Sequence, residues 1–250
     1  MLAPLPAAIG VVATVVLALV AVRGRALTPV AGTVAAAFGV VIVVLAGFPF
    51  LALLALFVLV SASATRFRFE EKRRRHVQEG TSGERGVSNV VAHILIPTGL
   101  SVVAAAGLVP VPTVGALFAS ALAFGASDTF ASEFGVLTGR AVSIVTFRPV
   151  TAGTNGGVSG IGTAFGLAGA GVTATVGLLL FVVFGTPIVA LASFLAAVTV
   201  GGFVGCQVDS VIGDRFENRG TISKGGTNFL GMLSAVLVAF AVLSLLGGAW

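Results

Sequence analysis

The stretch Pro49 to Ala64 reads Pro-Phe-Leu-Ala-Leu-Leu-Ala-Leu-Phe-Val-Leu-Val-Ser-Ala-Ser-Ala and contains no charged residue. As a helix it would rise about 24 Å, short of the roughly 30 Å hydrocarbon core of a bilayer. Whether it counts as a span decides the topology. Apolar runs at 7–22, 27–47, 89–109, 113–131, 157–184, 187–206 and 228–249 flank it on both sides. With 49–64 included there are eight spans, and every Asp, Glu, Lys and Arg falls in four alternate connections: Arg23 to Arg25, Thr65 to Ser88, Asp128 to Asn155, and Gln207 to Thr227. The intervening turns, Gly47-Phe48-Pro49, Val109-Pro110-Val111-Pro112 and Gly185-Thr186-Pro187, carry no charge. Omitting 49–64 would scatter the basic clusters over both sides, so the charge pattern argues for keeping it.

The composition agrees. Of 250 residues 57% are hydrophobic and 9% charged, and mean hydropathy is +1.12. The longest polar stretch, 65–88, is too short to bury a core of its own. The expectation is an all-α polytopic transmembrane helical bundle of about eight spans, one integral membrane domain over 1–250. The 34 glycines fit, because small residues let membrane helices approach closely. By the positive-inside rule the charged face is cytoplasmic and both termini lie outside, in the cell membrane. Ala7 to Val22 has the length of a secretory signal, but Arg23 and Arg25 follow it and no basic residue precedes it, which favours a retained first helix. Trp250 is expected at the outer interface.

A pI near 11.0 in a soluble chain would suggest nucleic acid. Here the 14 Lys and Arg report topology, and no nucleic-acid partner is expected. The single cysteine, Cys206, excludes an intrachain disulfide. Orientation rules do not explain why acids gather on the same face, since they concern Lys and Arg.

The acids recur in a weak repeat. Gly125-Ala126-Ser127-Asp128-Thr129-Phe130-Ala131-Ser132-Glu133 and Gly205-Cys206-Gln207-Val208-Asp209-Ser210-Val211-Ile212-Gly213-Asp214 each place a second acid five residues after the first, where a span exits on the charged side. Five residues turn a helix by about 500°, so the acids of one block stand about 140° apart. Asp128 shares a face with Ser132, and Asp209 with Gly213. Either the two acids of a block serve different sites or the helix unwinds between them. Carboxylates from separate helices facing basic loops suit a magnesium ion holding phosphate oxygens, with Asp128, Glu133, Asp209 and Asp214 as candidate ligands. The competing role for Asp128 and Asp209 is helix capping or pairing with Arg140, Arg148 or Arg215.

Two glycine-rich segments open helices on the same side. Thr151-Ala152-Gly153-Thr154-Asn155-Gly156-Gly157-Val158-Ser159-Gly160 precedes the sixth span and Lys224-Gly225-Gly226-Thr227-Asn228 the eighth. Unpaired amides at a helix start favour an anion, and glycine lets the backbone approach it. Gly153, Thr154, Asn155, Gly156, Ser159, Lys224 and Asn228 are therefore candidate nucleotide-binding residues, although the first segment lacks the lysine of a P-loop. The competing role is a turn plus tight packing, which accounts for Gly162-Thr163-Ala164-Phe165-Gly166. The basic stretch from Arg66 to His76 is assigned to topology and anionic lipid headgroups. Arg85, close to the fourth span, is a candidate for phosphate charge, and Asn89 and His93 share a helix face beside it, His93 more simply as packing.

At Ser127-Asp128-Thr129-Phe130-Ala131-Ser132-Glu133-Phe134-Gly135, Gly153-Thr154-Asn155-Gly156-Gly157-Val158-Ser159 and Asp209-Ser210-Val211-Ile212-Gly213, the chain resembles an integral-membrane family that includes plant phytyl-phosphate kinase. Gly83-Glu84-Arg85-Gly86 with Asn89 extends the likeness upstream, whereas Ala92-His93 and Asp214 depart from the family pattern. The resemblance implies transfer of a phosphoryl group from a nucleoside triphosphate, CTP in the plant case, to an isoprenyl monophosphate such as the phytyl or geranylgeranyl compound. It places the active-site half at 125–228. On that reading Asp128, Glu133 and Asp209 orient metal or nucleotide, and Arg85 and Lys224 stabilise charge. An isoprenoid or lipid transporter or flippase, and a CTP-dependent cytidylyltransferase of lipid phosphates, are the alternatives.

Overall fold

The computed structural model describes residues 4–247. Trp250 lies outside the described residues. Eight apolar helices form the body: α1 (Pro4–Arg23), α2 (Pro29–Leu45), α3 (Phe48–Arg66), α5 (Val87–Ala105), α6 (Val111–Gly135), α7 (Gly160–Val183), α8 (Leu191–Ile212) and α9 (Lys224–Leu245); a short helix, α4 (Phe69–Arg74), lies in the basic connection. Among the described residues seven are long and apolar enough to cross a membrane, and α2, at 17 residues, is shorter. Its rise of about 25 Å is at the lower end for a span. The protein is an all-α polytopic helical bundle, and Pro49 to Ala64 is its third long helix.

Local rules place the helix starts. Proline occupies the first turn of α2, α3 and α6, where its missing amide costs nothing. The hydroxyls of Thr28, Ser159 and Ser223 cap α2, α7 and α9 by accepting the amides of Ala31, Gly162 and Gly226 at 3.3, 3.0 and 3.2 Å. Helix α8 continues past the sequence-expected exit at 206 and ends in one π-helical turn, Gly213–Glu217.

Helix α6 is the centre. Every residue from Thr113 to Ser127 is buried, while α1, α7 and α9 expose much of their apolar surface. Lipid tails are as apolar as leucine, so burial alone gives helices no reason to associate; close packing does. Glycines supply it. A β-carbon on Gly169 of α7 would lie 2.9 Å from the Ala126 carbonyl oxygen of α6. One on Gly202 of α8 would lie 2.6 Å from Ala123 of α6, and one on Gly205 would lie 2.7 Å from the Gly231 oxygen of α9.

The charged connections converge at one end of the bundle. The α1–α2 turn pairs with the segment before α5, where Arg85 donates its amide to Ala26 O at 3.0 Å and accepts from the Thr28 amide at 3.1 Å. Arg66 donates to the Gly24 carbonyl. Arg75 reaches the Leu137 carbonyl at 3.0 Å, and Asn218 the Asn155 carbonyl at 2.9 Å. Between α6 and α7 the sequence reading had only a loop. The chain instead forms a small antiparallel sheet of β1 (Ala141–Ser143), β2 (Pro149–Val150) and β3 (Gly157–Val158), with β1 in the middle. Val142 is opposite both Pro149 and Val158. The sixth span therefore starts at Gly160, not 157.

Gly205→Ala is expected to lower the thermal midpoint of the detergent-solubilised protein, by overpacking worth about 1–3 kcal/mol. Gly171→Ala, where an added β-carbon meets nothing within 4 Å, should leave the midpoint unchanged or raise it, through the helix propensity of alanine. Scanning fluorimetry of the two variants side by side measures the difference.

Candidate functional site

The cleft at the charged end has a cavity volume of about 130 Å³ and is walled by α6, α8, the starts of α7 and α9, and the glycine-rich loop. Asp128 enters from α6 and Asp209 from α8, two helices that run in the same direction. Asp128 stands seven residues before the end of α6, about 10 Å inside it. The Oδ1 atom of Asp209 is buried without a hydrogen-bond partner. Gly153, Thr154, Asn155, Gly156 and Ser159 line one wall, and Lys224 and Asn228 line another.

The loop is held against α8 by its backbone. Gly156 has φ +73°, and a β-carbon there would lie 2.6 Å from the Ser210 carbonyl oxygen, so both conformation and space require glycine. The Ile144 amide donates to Gly156 O at 3.0 Å, tying the loop to the sheet. Helices α7 and α9 both begin at the cleft behind serine caps. A cap satisfies one of the opening amides, and those that remain, with the positive helix dipole, make each start favourable to an anion. Two carboxylates thus stand beside two anion-favouring helix starts and one ammonium group.

The structure separates the acids within each sequence block. Helix α6 stays continuous through Gly135, so Glu133 turns away from Asp128. Glu133 lies outside the cleft and accepts Lys72 Nζ at 2.6 Å. Lys72 is fully buried and also donates to Thr65 O at 2.7 Å and Ala64 O at 3.2 Å. The pair clamps α4 and the end of α3 onto α6, which the sequence reading of this stretch as a topology and lipid-contact loop did not contain. Around it, Arg68 and Arg75 pair with Glu71, and Arg73 pairs with Glu70. Asp214 is likewise turned out of the cleft and accepts the Ser143 hydroxyl, pinning β1 to α8. As grouped metal ligands, Glu133 and Asp214 are therefore displaced by the helical rotation that the five-residue spacing entails. Among the described residues no three His, Cys, Asp or Glu side chains are grouped as a metal cage.

Arg85 does not line the cleft either. Its Nη1 donates to Asn89 Oδ1 at 3.2 Å and its Nη2 to Thr129 Oγ1 at 3.1 Å, beside Asp128 on α6. The turn that delivers it is ordered by Glu84, which accepts the Ser82 amide at 2.7 Å and hydroxyl at 2.8 Å. The Ser82 hydroxyl, followed by the local backbone amides, holds the Glu84 carboxyl below its ordinary range. His93 packs between the Phe57 and Phe124 rings, and its Nδ1 lies 2.9 Å from Asn89 O. Sequence reasoning missed Gln207, Ser210, Glu217 and Cys206 as cleft residues. The signal was available for three of them, because Cys206, Ser210 and Glu217 form, with Gly213, one helix face at successive spacings of four, three and four.

The chain belongs to a family of integral membrane proteins, "Integral membrane protein DUF92", whose pattern matches residues 12–229. It is 28% identical over 228 residues to an uncharacterized membrane protein of Methanocaldococcus jannaschii, covering 91% of this chain and 90% of that one. An uncharacterized membrane protein of Synechocystis sp. is 29% identical over 184 residues, 71% of this chain and 69% of the relative. Protein PGR of Arabidopsis thaliana is 31% identical over 199 residues, 71% and 68% of the two chains. No solved structure matches. The protein is a multi-pass integral membrane protein of that family.

Lys72→Met or Glu133→Gln alone should destabilise the fold by about 3–5 kcal/mol, because each leaves a buried charge or a buried polar group without its partner. The Lys72→Met/Glu133→Leu double variant should recover most of that loss. Thermal unfolding in detergent reports both, and a double variant no better than the singles would mean that the pair does more than clamp.

Proposed function

We propose that the protein is a membrane-embedded prenyl-phosphate kinase that moves a phosphoryl group from a nucleoside triphosphate to an isoprenyl monophosphate, with CTP as the first donor to test. The carrying observation is the meeting of Asp128 and Asp209 with the capped starts of α7 and α9 and with Lys224 in one cleft at the charged end. Phosphoryl transfer demands positioning and charge stabilisation more than covalent chemistry, and these are parts of that kind. The sequence resemblance to the family of plant phytyl-phosphate kinase supplies the substrate class.

The reaction runs from an oxygen of the isoprenyl monophosphate to the terminal phosphorus of the nucleotide, with CDP as leaving group and the isoprenyl diphosphate as product. The α7 start and the Asn155–Gly156 loop hold one phosphate group, and the α9 start with Lys224 and Asn228 holds the other. Magnesium suits the donor set: it keeps several waters, needs only one or two carboxylates besides phosphate oxygens, and Asp209 carries a buried oxygen without a partner. When bound, magnesium would neutralise phosphate charge. Asp128 and Asp209 would hold it, while the low-dielectric walls strengthen every such interaction. The charged face is then the cytoplasmic face, where nucleotide is present.

Asp128→Asn and Asp209→Asn should each reduce turnover by about 100-fold or more, measured with purified protein, magnesium, each nucleoside triphosphate and geranylgeranyl or phytyl monophosphate. A variant retaining full turnover removes that residue from the mechanism. Release of CDP supports the kinase, and release of pyrophosphate supports the cytidylyltransferase. Counterflow of isoprenyl phosphate in sealed vesicles without nucleotide would instead support transport. For orientation, a cysteine placed at Thr81 in a Cys206→Ser background should react with an impermeant maleimide only after the cells are opened. Labelling of intact cells would reverse the assigned face.

A further inference from the structure

A second pocket is walled by helices other than those of the cleft, and it is of a different kind. An apolar furrow of about 310 Å³ runs between α1, α2 and α3 from Arg66 towards Leu51. Leu51 and Ser63, both in its wall, are twelve residues apart on α3, a span of about 18 Å. At the charged end the furrow opens into a recess of about 60 Å³ between α3 and α5, and Leu54, Val58 and Ala62 line both.

The recess is almost wholly apolar except for Ser61, Arg85, Asn89 and His93. Three of these carry a buried polar atom without a hydrogen-bond partner: Ser61 Oγ, Arg85 Nε and His93 Nε2. Ser61 is 2% exposed and His93 4%. Such atoms are costly inside a membrane, where water does not offer itself as a partner. Their chemistry is complementary. Nδ1 of His93 faces a backbone carbonyl, which only accepts, so Nδ1 carries the hydrogen and in the neutral ring Nε2 is an acceptor. Arg85 Nε is a donor, held in place because its two Nη atoms and its backbone are bonded elsewhere. Ser61 can donate or accept.

We propose that the furrow and recess bind a single-chain lipid alcohol, its hydroxyl donating to His93 Nε2 and accepting from Arg85 Nε or Ser61, and its chain lying along α3. A hydroxyl supplies both a donor and an acceptor, as the recess requires. A phosphate dianion supplies acceptors alone, leaves Nε2 unmatched and is too large and too hydrated for this dry recess. A plain hydrocarbon leaves all three atoms unpaired. The site does not depend on the chemistry of the cleft.

The test is photolabelling of the full-length protein in nanodiscs with a diazirine-bearing hexadecanol, followed by peptide mapping. Adducts are expected on α1, α2 or α3. Hexadecanol should compete with the label about tenfold better than hexadecane or hexadecyl phosphate, the value of one well-made hydrogen bond in a buried site. Ser61→Ala and His93→Phe should each weaken labelling by a similar factor, and Val58→Trp, which fills the furrow and touches none of the polar atoms, should abolish it. Asp128→Asn should leave labelling unchanged, which separates this site from the cleft. Equal competition by hexadecane or by hexadecyl phosphate, labelling insensitive to Val58→Trp, or no labelling of the unaltered protein would each overturn the proposal.

Discussion

The rest of the molecule depends on how closely α7, α8 and α9 approach the buried helix α6 and one another. Gly169, Gly202 and Gly205 bring backbone to within side-chain distance of backbone across these interfaces. In hydrocarbon no hydrophobic effect drives helix pairing, so dispersion over these contacts and the satisfied helical backbone have to hold the bundle. Because α6 and α8 pack that closely in the same direction, Asp128 and Asp209 arrive in one cleft. Larger residues in place of the glycines would hold these helices further apart.

Around that packing the charges divide into two groups. Glu133, Lys72, Asp214 and Ser143 are used up in fastening peripheral elements to the bundle: a six-residue helix in one case, a strand of the small sheet in the other. Asp128 and Asp209 have no such fastening and remain at the cleft. Lys72 illustrates the cost involved. A lysine is buried among backbone carbonyls only because a carboxylate and two acceptors meet its ammonium group. Charge that looks alike along the chain therefore does different things.

The bundle was legible from the sequence because hydropathy and the confinement of charge to alternate connections are one-dimensional signals. They recovered the eight apolar helices, including the short stretch before Ala64, but not α4 in the basic connection. The site was legible in part. Asp128, Asp209 and the two helix-opening loops do line one cleft, and the five-residue spacing already implied that Glu133 and Asp214 face elsewhere unless the helix broke. The small sheet was not legible, since strands of two or three residues carry no periodicity of their own. The buried role of Lys72 was hidden among five other basic residues from Arg66 to Arg75, which nothing in the local sequence sets apart from it.

What the sequence by itself determined was the number of apolar helices, their alternation, and the gathering of all charge at one end, because transfer into hydrocarbon is a property of each segment taken alone. Only the tertiary structure decided which acids meet. That depends on the rotation of each helix about its axis and on the distance between axes, and these are set by glycine contacts between residues far apart in the chain. The pairing of Arg85 with Thr129 and the recess beside His93 arise in the same way. Neither has a sequence signature, since each is made from helices that become neighbours only in the folded bundle.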